Sequence, residues 1–196
     1  MNLSIKHLYS IYYNDSTIDE EIKQLVANWH YSRSSRSQQQ KHVFKLVDRS
    51  NILVGVAIYG NPMSRHYNKA ETIELRRLCL IDNTPKNTES YFIGQTLRWL
   101  GKNTDYRQVV SFADPNHGHA GTIYKASNFL YDGREKNGNP RIVQHGDKQI
   151  HLRQMYQKTG GSYSEDAKKI QAAVASGEAI VVKQEQKYRY LYQLRS

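Results

Sequence analysis

The chain has 196 residues, 38% of them hydrophobic and 11% aromatic with fifteen tyrosines: enough large side chains for one buried core, and too short for two ordinary domains plus a linker. Twenty-eight Lys and Arg against eighteen Asp and Glu leave a formal charge of +10 and a pI near 9.6, which concentrates polyanions at the surface and makes nucleic acid the leading class of partner, with a basic but simply soluble protein as the alternative. No apolar run approaches the roughly 20 residues needed to cross a bilayer, the opening MNLSIKHLYSIYYND lacks a leader pattern, and a single cysteine excludes an internal disulfide, so the expectation is one domain over 1–196, in the cytoplasm and not at a membrane.

In chain order, LSIKHLYSIYY at 3–13 is rich in β-branched and aromatic types and predicts a first strand. STIDEEIKQLVANWHY follows, with Thr17 and Glu20 spaced as a capping box and Ile18, Ile22, Leu25, Val26 and Trp29 at helical intervals, which predicts a helix ending near His30. SRSSRSQQQK at 32–41 has no apolar residue and reads as an exposed cationic loop. HVFKLVD and NILVGVAIYG form a predicted hairpin around Arg49 and Ser50, and NPMSRHYNK connects to a long strand at 71–81 that includes Cys79, read as a buried thiol.

DNTPKN is a turn, after which Asn87 or Thr88 caps a helix through ESYFIGQTLRWLGK with its exit at Gly101. QVVSFAD is a short buried strand, and HAGTIYKASNFL is helical. In the last third, SYSEDAKKIQAAVASG reads as a helix with a Ser162–Glu165 capping box, and EAIVVKQEQKYRYLYQL as a closing pair of strands. Alternation of strands and helices predicts an α/β fold with parallel pairing somewhere in the sheet.

Loops that leave a strand and enter a helix are where open α/β sheets take ligands, because helix N-termini present free N–H donors there. Two such loops occur. In DNTPKNTES, the N–H groups from Asn87 through Thr88 to Ser90, with Lys86 as counter-charge, suit a phosphate, although an ordinary capped turn fits as well. In ADPNHGHAG, Asp114, His117 and His119 are donors that suit iron or zinc, and equally serve as helix caps. Tyr124 lies about one and a half turns into the next helix, near enough to the same crevice to donate a proton or simply to pack there.

The order of elements and the pattern A-x-x-x-Y-x-x-S-N-F at Ala120–Phe129 resemble the Gcn5-related N-acetyltransferase (GNAT) fold: a mixed, largely antiparallel sheet with a central parallel strand pair flanked by helices. In that fold a tyrosine at the position of Tyr124 often protonates the departing coenzyme A thiolate. More specifically, HYSRS at 30–34, GVAIYGNP at 55–62, ELRRLCL at 74–80, PKNTES at 85–90 and SFADPNHGHAGTIYKASNF at 111–129 resemble the Mom family of phage DNA-modification proteins.

The resemblance implies an enzyme that converts adenine in phage DNA to an N6-carbamoylmethyl derivative and so protects it from host restriction. It implies functional roles for Arg76, Asp114 and Tyr124, to which Ser111 in the same stretch is joined, and an iron ion held by His30, Tyr31 and Asp114. PKNTES replaces the glycine-bearing pyrophosphate loop of acetyltransferases, a departure from that fold's fingerprint; acetyl-CoA or a related donor is the candidate ligand at Lys86, Asn87, Thr88 and Ser90. Arg33, Arg36 and Arg65 are the expected DNA-backbone contacts around a flipped adenine. The competing readings are a coenzyme A-dependent N-acetyltransferase of an RNA, protein or small amine, and a DNA-binding protein that has lost catalysis.

Overall fold

The computed structural model describes residues 4–30, 40–135 and 141–195. The chain divides into two compact units, Met1–Glu135 with Lys187–Ser196, and Lys136–Gln186. The main unit contains, in order, β1 (Tyr9–Tyr13), α1 (Glu20–Trp29), β2 (Gln40–Asp48), β3 (Leu53–Gly60), β4 (Thr72–Leu80), α2 (Thr88–Asn103), β5 (Gln108–Ala113), α3 (Thr122–Ala126) and β6 (Leu130–Arg134). The second unit carries β7 (Arg141–His145), β8 (Lys148–His151), β9 (Lys158–Thr159), β10 (Ser162–Tyr163), α4 (Glu165–Ser176) and β11 (Ala179–Lys183), after which β12 (Tyr188–Gln193) returns to the main unit.

The main sheet runs β1-β2-β3-β4-β5-β12-β6. Its one parallel contact is β4 with β5, and every other neighbour is antiparallel, which is the mixed sheet with a central parallel pair expected from the sequence. Successive strand residues face opposite sides of a sheet, and here both sides are covered. Val43, Val56, Ile58 and Cys79 pack with Ile22, Leu25 and Val26 of α1, while Phe44, Ala57, Tyr59, Ile73 and Leu75 pack with Phe92, Ile93, Leu97 and Leu100 of α2. Lys45 ties α1 to β2 through Asp19 at 2.7 Å and Glu21 at 2.9 Å. In the second unit the sheet order is β11-β7-β8, with Val143, Ala173 and Ala179 at its core, and β9 and β10 form a separate ribbon.

Several boundaries differ from the sequence expectation, each for a local reason. Residues Ile5–His7 form a turn of 3-10 helix, so the first strand is only Tyr9–Tyr13. Asp19, not Thr17, caps α1 by accepting from the Ile22 N–H at 3.0 Å, and Ser164, not Ser162, caps α4. Trp29 shares the helical spacing of the buried residues yet is 46% exposed. Gly101 lies inside α2, where a Cβ would come within 3.7 Å of the Leu194 carbonyl, and the exit is Thr104. The helix after β5 ends at Ala126 because Asn128 turns left-handed (φ 62°) and sends the chain into β6. The two closing strands do not pair with each other: β11 joins β7, and β12 inserts between β5 and β6.

Candidate active site

The parallel register of β4 and β5 runs only from Thr72↔Gln108 to Leu75↔Ser111. Beyond it β4 continues to Leu80 and β5 to Ala113, and between them opens a crevice of about 810 Å³. A bulge shapes its β4 wall. The β3–β4 register passes from Ile58↔Arg77 to Tyr59↔Leu75, leaving Arg76 as the extra residue, and an extra residue of this kind locally redirects side chains. Arg76 and Glu74 both line the crevice.

Glu74 is 8% exposed, and burial raises its carboxyl pKa against the hydrogen bond it accepts from the Met63 N–H at 2.9 Å. Burial likewise lowers the Arg76 pKa, opposed by nearby Glu74, and the Arg76 guanidinium meets the Met63 sulfur. A buried acid whose charged form is disfavoured, placed in a cleft beside a fixed cation, is a recurrent arrangement at reactive sites.

The first loop, at the start of α2, carries Lys86, Asn87, Thr88, Glu89 and Ser90 on the crevice wall. Asn87 is left-handed (φ 71°) and no side chain caps the helix. Thr88 turns its hydroxyl back to the Pro85 carbonyl at 2.7 Å, and Ser90 to the Asn87 carbonyl at 3.1 Å. The Thr88 N–H itself donates to the Pro85 carbonyl at 3.1 Å, so helix α2 meets the crevice with its positive dipole end, over a full sixteen-residue helix.

The second loop is built differently. Asp114 accepts from the Asn116 backbone N–H at 3.1 Å and from its side-chain amide at 2.8 Å, faces Lys187 at 3.6 Å, and its carbonyl accepts from the N–H groups of His117 and His119. Gly121 (φ +73°) passes directly beneath Tyr190, so close that a Cβ would lie 2.2 Å from that ring, and the Tyr190 hydroxyl donates to the Ala120 carbonyl at 2.8 Å. Only glycine accepts both the backbone angle and the contact. Tyr124 follows one turn later, its ring packed between Tyr190 (5.3 Å between centroids) and Phe129 (5.6 Å), and it lines the same crevice.

His30 ends α1 on the crevice wall, 9% exposed. Burial first, then the positive field of Arg77, His119 and His117, lowers its pKa to about 4, so its imidazole is neutral at physiological pH. His119 in turn favours the charged form of Glu89, which burial disfavours. Cys79 also reaches the crevice wall, but burial pushes its thiol up to about 12, and its sulfur lies 3.9 Å from the Leu25 carbonyl, which suits a packed thiol.

His30, Arg76, Lys86, Asn87, Thr88, Ser90, Asp114, His119 and Tyr124, distant in sequence, thus line one crevice. Ser111 does not: it is fully buried, and its hydroxyl donates to the Leu75 carbonyl at 3.0 Å, joining the parallel pair where it ends. Arg65 is exposed in the β3–β4 loop, and Tyr31, Arg33 and Arg36 lie outside the described residues. Glu74, a crevice residue, was not singled out from the sequence, although it opens the ELRRLCL stretch and is an acid set among apolar residues in TIELRRLCL.

Among the described residues no group of three or more His, Cys, Asp or Glu is arranged to hold a metal ion. Asp114 already serves Asn116 and Lys187. The expected iron set of His30, Tyr31 and Asp114 includes Tyr31, which lies outside the described residues, and no step is assigned to an iron centre.

A short parallel pair that splays around a crevice, with a long helix aimed into it, defines the class as the GNAT fold. Similar solved structures include spermidine N-acetyltransferase SpeG of Vibrio cholerae (TM-score 0.54, 8% identity, 95% of this chain and 94% of that one). The Bacillus subtilis acetyltransferase in complex with CoA matches at TM-score 0.54 and 10% identity over 94% of this chain and 98% of that one. YhbS of Escherichia coli, in complex with CoA, matches at TM-score 0.51 and 13% identity over 66% and 72%. At these identities the likeness is one of fold.

The chain belongs to the Mom protein family, whose model matches residues 15–196. The methylcarbamoylase mom of Escherichia phage Mu is 36% identical over 120 residues, 56% of this chain and 48% of that protein, so the chain spans about half the length of the curated relative it matches.

Proposed function

We propose that this protein is a DNA-modifying transferase that attaches a carbamoylmethyl-type group to N6 of adenine and thereby shields phage DNA from host restriction in the host cytoplasm. The observation that carries the reading is the convergence of Glu74, Arg76, Asp114 and Tyr124 on one crevice in a chain of the Mom family. The formal charge of +10 supports a polyanionic substrate.

The adenine N6 amine is stacked and paired in a duplex and its lone pair is delocalised into the ring, so the base must leave the stack and lose a proton as it reacts. In the proposed step N6 forms a bond to an electrophilic carbon of the donor, and the bond from that carbon to its leaving group breaks. The N6 proton passes to the Glu74 carboxylate, whose buried setting suits a proton acceptor. The leaving group takes the Tyr124 hydroxyl proton. Arg76 holds an anionic part of the reacting pair, and Asp114, fixed by Asn116 and Lys187, holds the second loop in place.

The start of α2 with Lys86 receives the phosphates of a donor of the coenzyme A class. The solved neighbours in complex with CoA support this assignment.

Mass analysis of nucleosides from plasmid DNA of cells expressing the protein tests the reading. The expected result is an adenine nucleoside heavier by the transferred group, lost with Tyr124→Phe although the variant accumulates as folded protein to the same level. Unaltered nucleosides together with acetyl-CoA turnover on an amine, without DNA, would instead make the protein an ordinary acetyltransferase.

A further inference from the structure

The loop between β3 and β4 presents an apolar side chain where nothing in the catalytic reading needs one. Met63 is 69% exposed, while the neighbouring Pro62 is buried. It is not a loose surface residue. Its backbone N–H is held by the buried carboxylate of Glu74 at 2.9 Å, and its sulfur meets the guanidinium of Arg76. Both of those partners line the crevice, so Met63 stands beside its rim. Arg65, His66 and Lys69, all exposed, follow it within the same loop.

An enzyme that draws a base from a duplex leaves a gap in the stack, and unstacking is costly. An apolar side chain placed between the neighbouring bases offsets that cost by restoring contact and excluding water. Methionine suits this role because it is unbranched, polarisable and free of strong hydrogen-bonding groups, and so fits an irregular apolar gap. Cations beside it would hold the phosphates flanking the opened step.

We propose that Met63 is the wedge that enters the DNA stack when adenine moves into the crevice, with Arg65 and Lys69 on the adjoining phosphates. This rests on the reading that the chain modifies adenine in duplex DNA. Met63 is then a positioning residue: it acts on the substrate's conformation and takes no part in the transfer. The grip of Glu74 and Arg76 on Met63 also links the wedge to the two groups proposed to act on the extruded base.

The test compares the unsubstituted protein, Met63→Ala and Met63→Leu in two measurements. One is the altered adenine nucleoside in plasmid DNA from expressing cells. The other is permanganate oxidation of thymines opposite the modified adenines, in duplex fragments bound by the purified proteins, since an unpaired thymine becomes reactive. Met63→Ala is expected to lose about tenfold in modification together with the thymine signal, and Met63→Leu to stay within about twofold of the unsubstituted protein in both. Unchanged modification by Met63→Ala overturns the wedge and leaves the DNA-modification reading standing. So does lost modification with undiminished thymine reactivity, which would assign Met63 to the placement of Arg76. Absence of any altered adenine nucleoside with the unsubstituted protein removes the underlying reading, and the wedge with it.

Discussion

The two loops that face the crevice leave neighbouring strands and enter helices, yet they are organised in opposite ways. The loop before α2 leaves its helix start without a side-chain cap and backs it with sixteen residues of aligned peptide dipoles. The loop before α3 spends its polar groups on itself: Asp114 serves Asn116 and Lys187, and the five-residue α3 supplies little dipole. The first is therefore fit to receive an outside anion, and the second to hold a reactive side chain, Tyr124, at a set place. On the proposed reading, one crevice combines an open end for a donor with a rigid end for proton transfer.

Substitutions that separate these two functions test the comparison. Tyr124→Phe is expected to lower modification by about 10²- to 10³-fold, with the thermal unfolding midpoint little changed, as measured by nucleoside mass analysis beside calorimetry. Gly121→Ala forces a Cβ into the Tyr190 ring at a positive φ, and a loss of about 2–4 kcal/mol is expected in denaturant unfolding, together with loss of modification. A mild effect there would show that the second loop is not rigid. Lys86→Ala acts on the open end alone: coenzyme A is expected to bind about three- to tenfold more weakly by calorimetry, more so at low salt, with stability unchanged. Equal binding by this variant would remove the first loop from donor recognition.

On the strand wall that both loops share, the expected change in stability is small and opposite in sign. A carboxyl whose folded pKa lies above its unfolded value stabilises most below the unfolded value and loses that contribution as pH rises through the folded one. Glu74 is such a group. Glu74→Gln keeps an acceptor for the Met63 N–H and removes the buried charge, so it should gain about 1 kcal/mol at pH 7, with the gain vanishing below pH ~4. Denaturant titrations at the two pH values, set beside a lowered modification yield, measure stability and activity moving in opposite directions.

Much of the site was legible because polar residues clustered where β5 gives way to α3, a place with little packing reason for them: Asp114, His119 and Tyr124 stand in one short stretch and share one crevice. Glu74 was not legible, because alternation along a strand assigns faces only while the register is regular, and the bulge at Arg76 is a property of pairing with β3 that one sequence does not carry. Ser111 misled for the reverse reason: a hydroxyl beside the candidate aspartate also meets the need of the parallel pair for a bond at its last paired position. The strand character of both closing segments was readable from their β-branched and aromatic residues, but their partners depend on contacts across the second unit's whole length in sequence.

The place of β12 between β5 and β6 has a consequence for how the protein comes into being. Tyr190 and Lys187, which pin Ala120 and face Asp114, belong to a segment synthesised after the second unit. A nascent chain therefore carries the start of α2 and the β3–β4 cations before the loop that holds Tyr124 is braced, and completes that wall of the crevice only when β12 takes its place between β5 and β6.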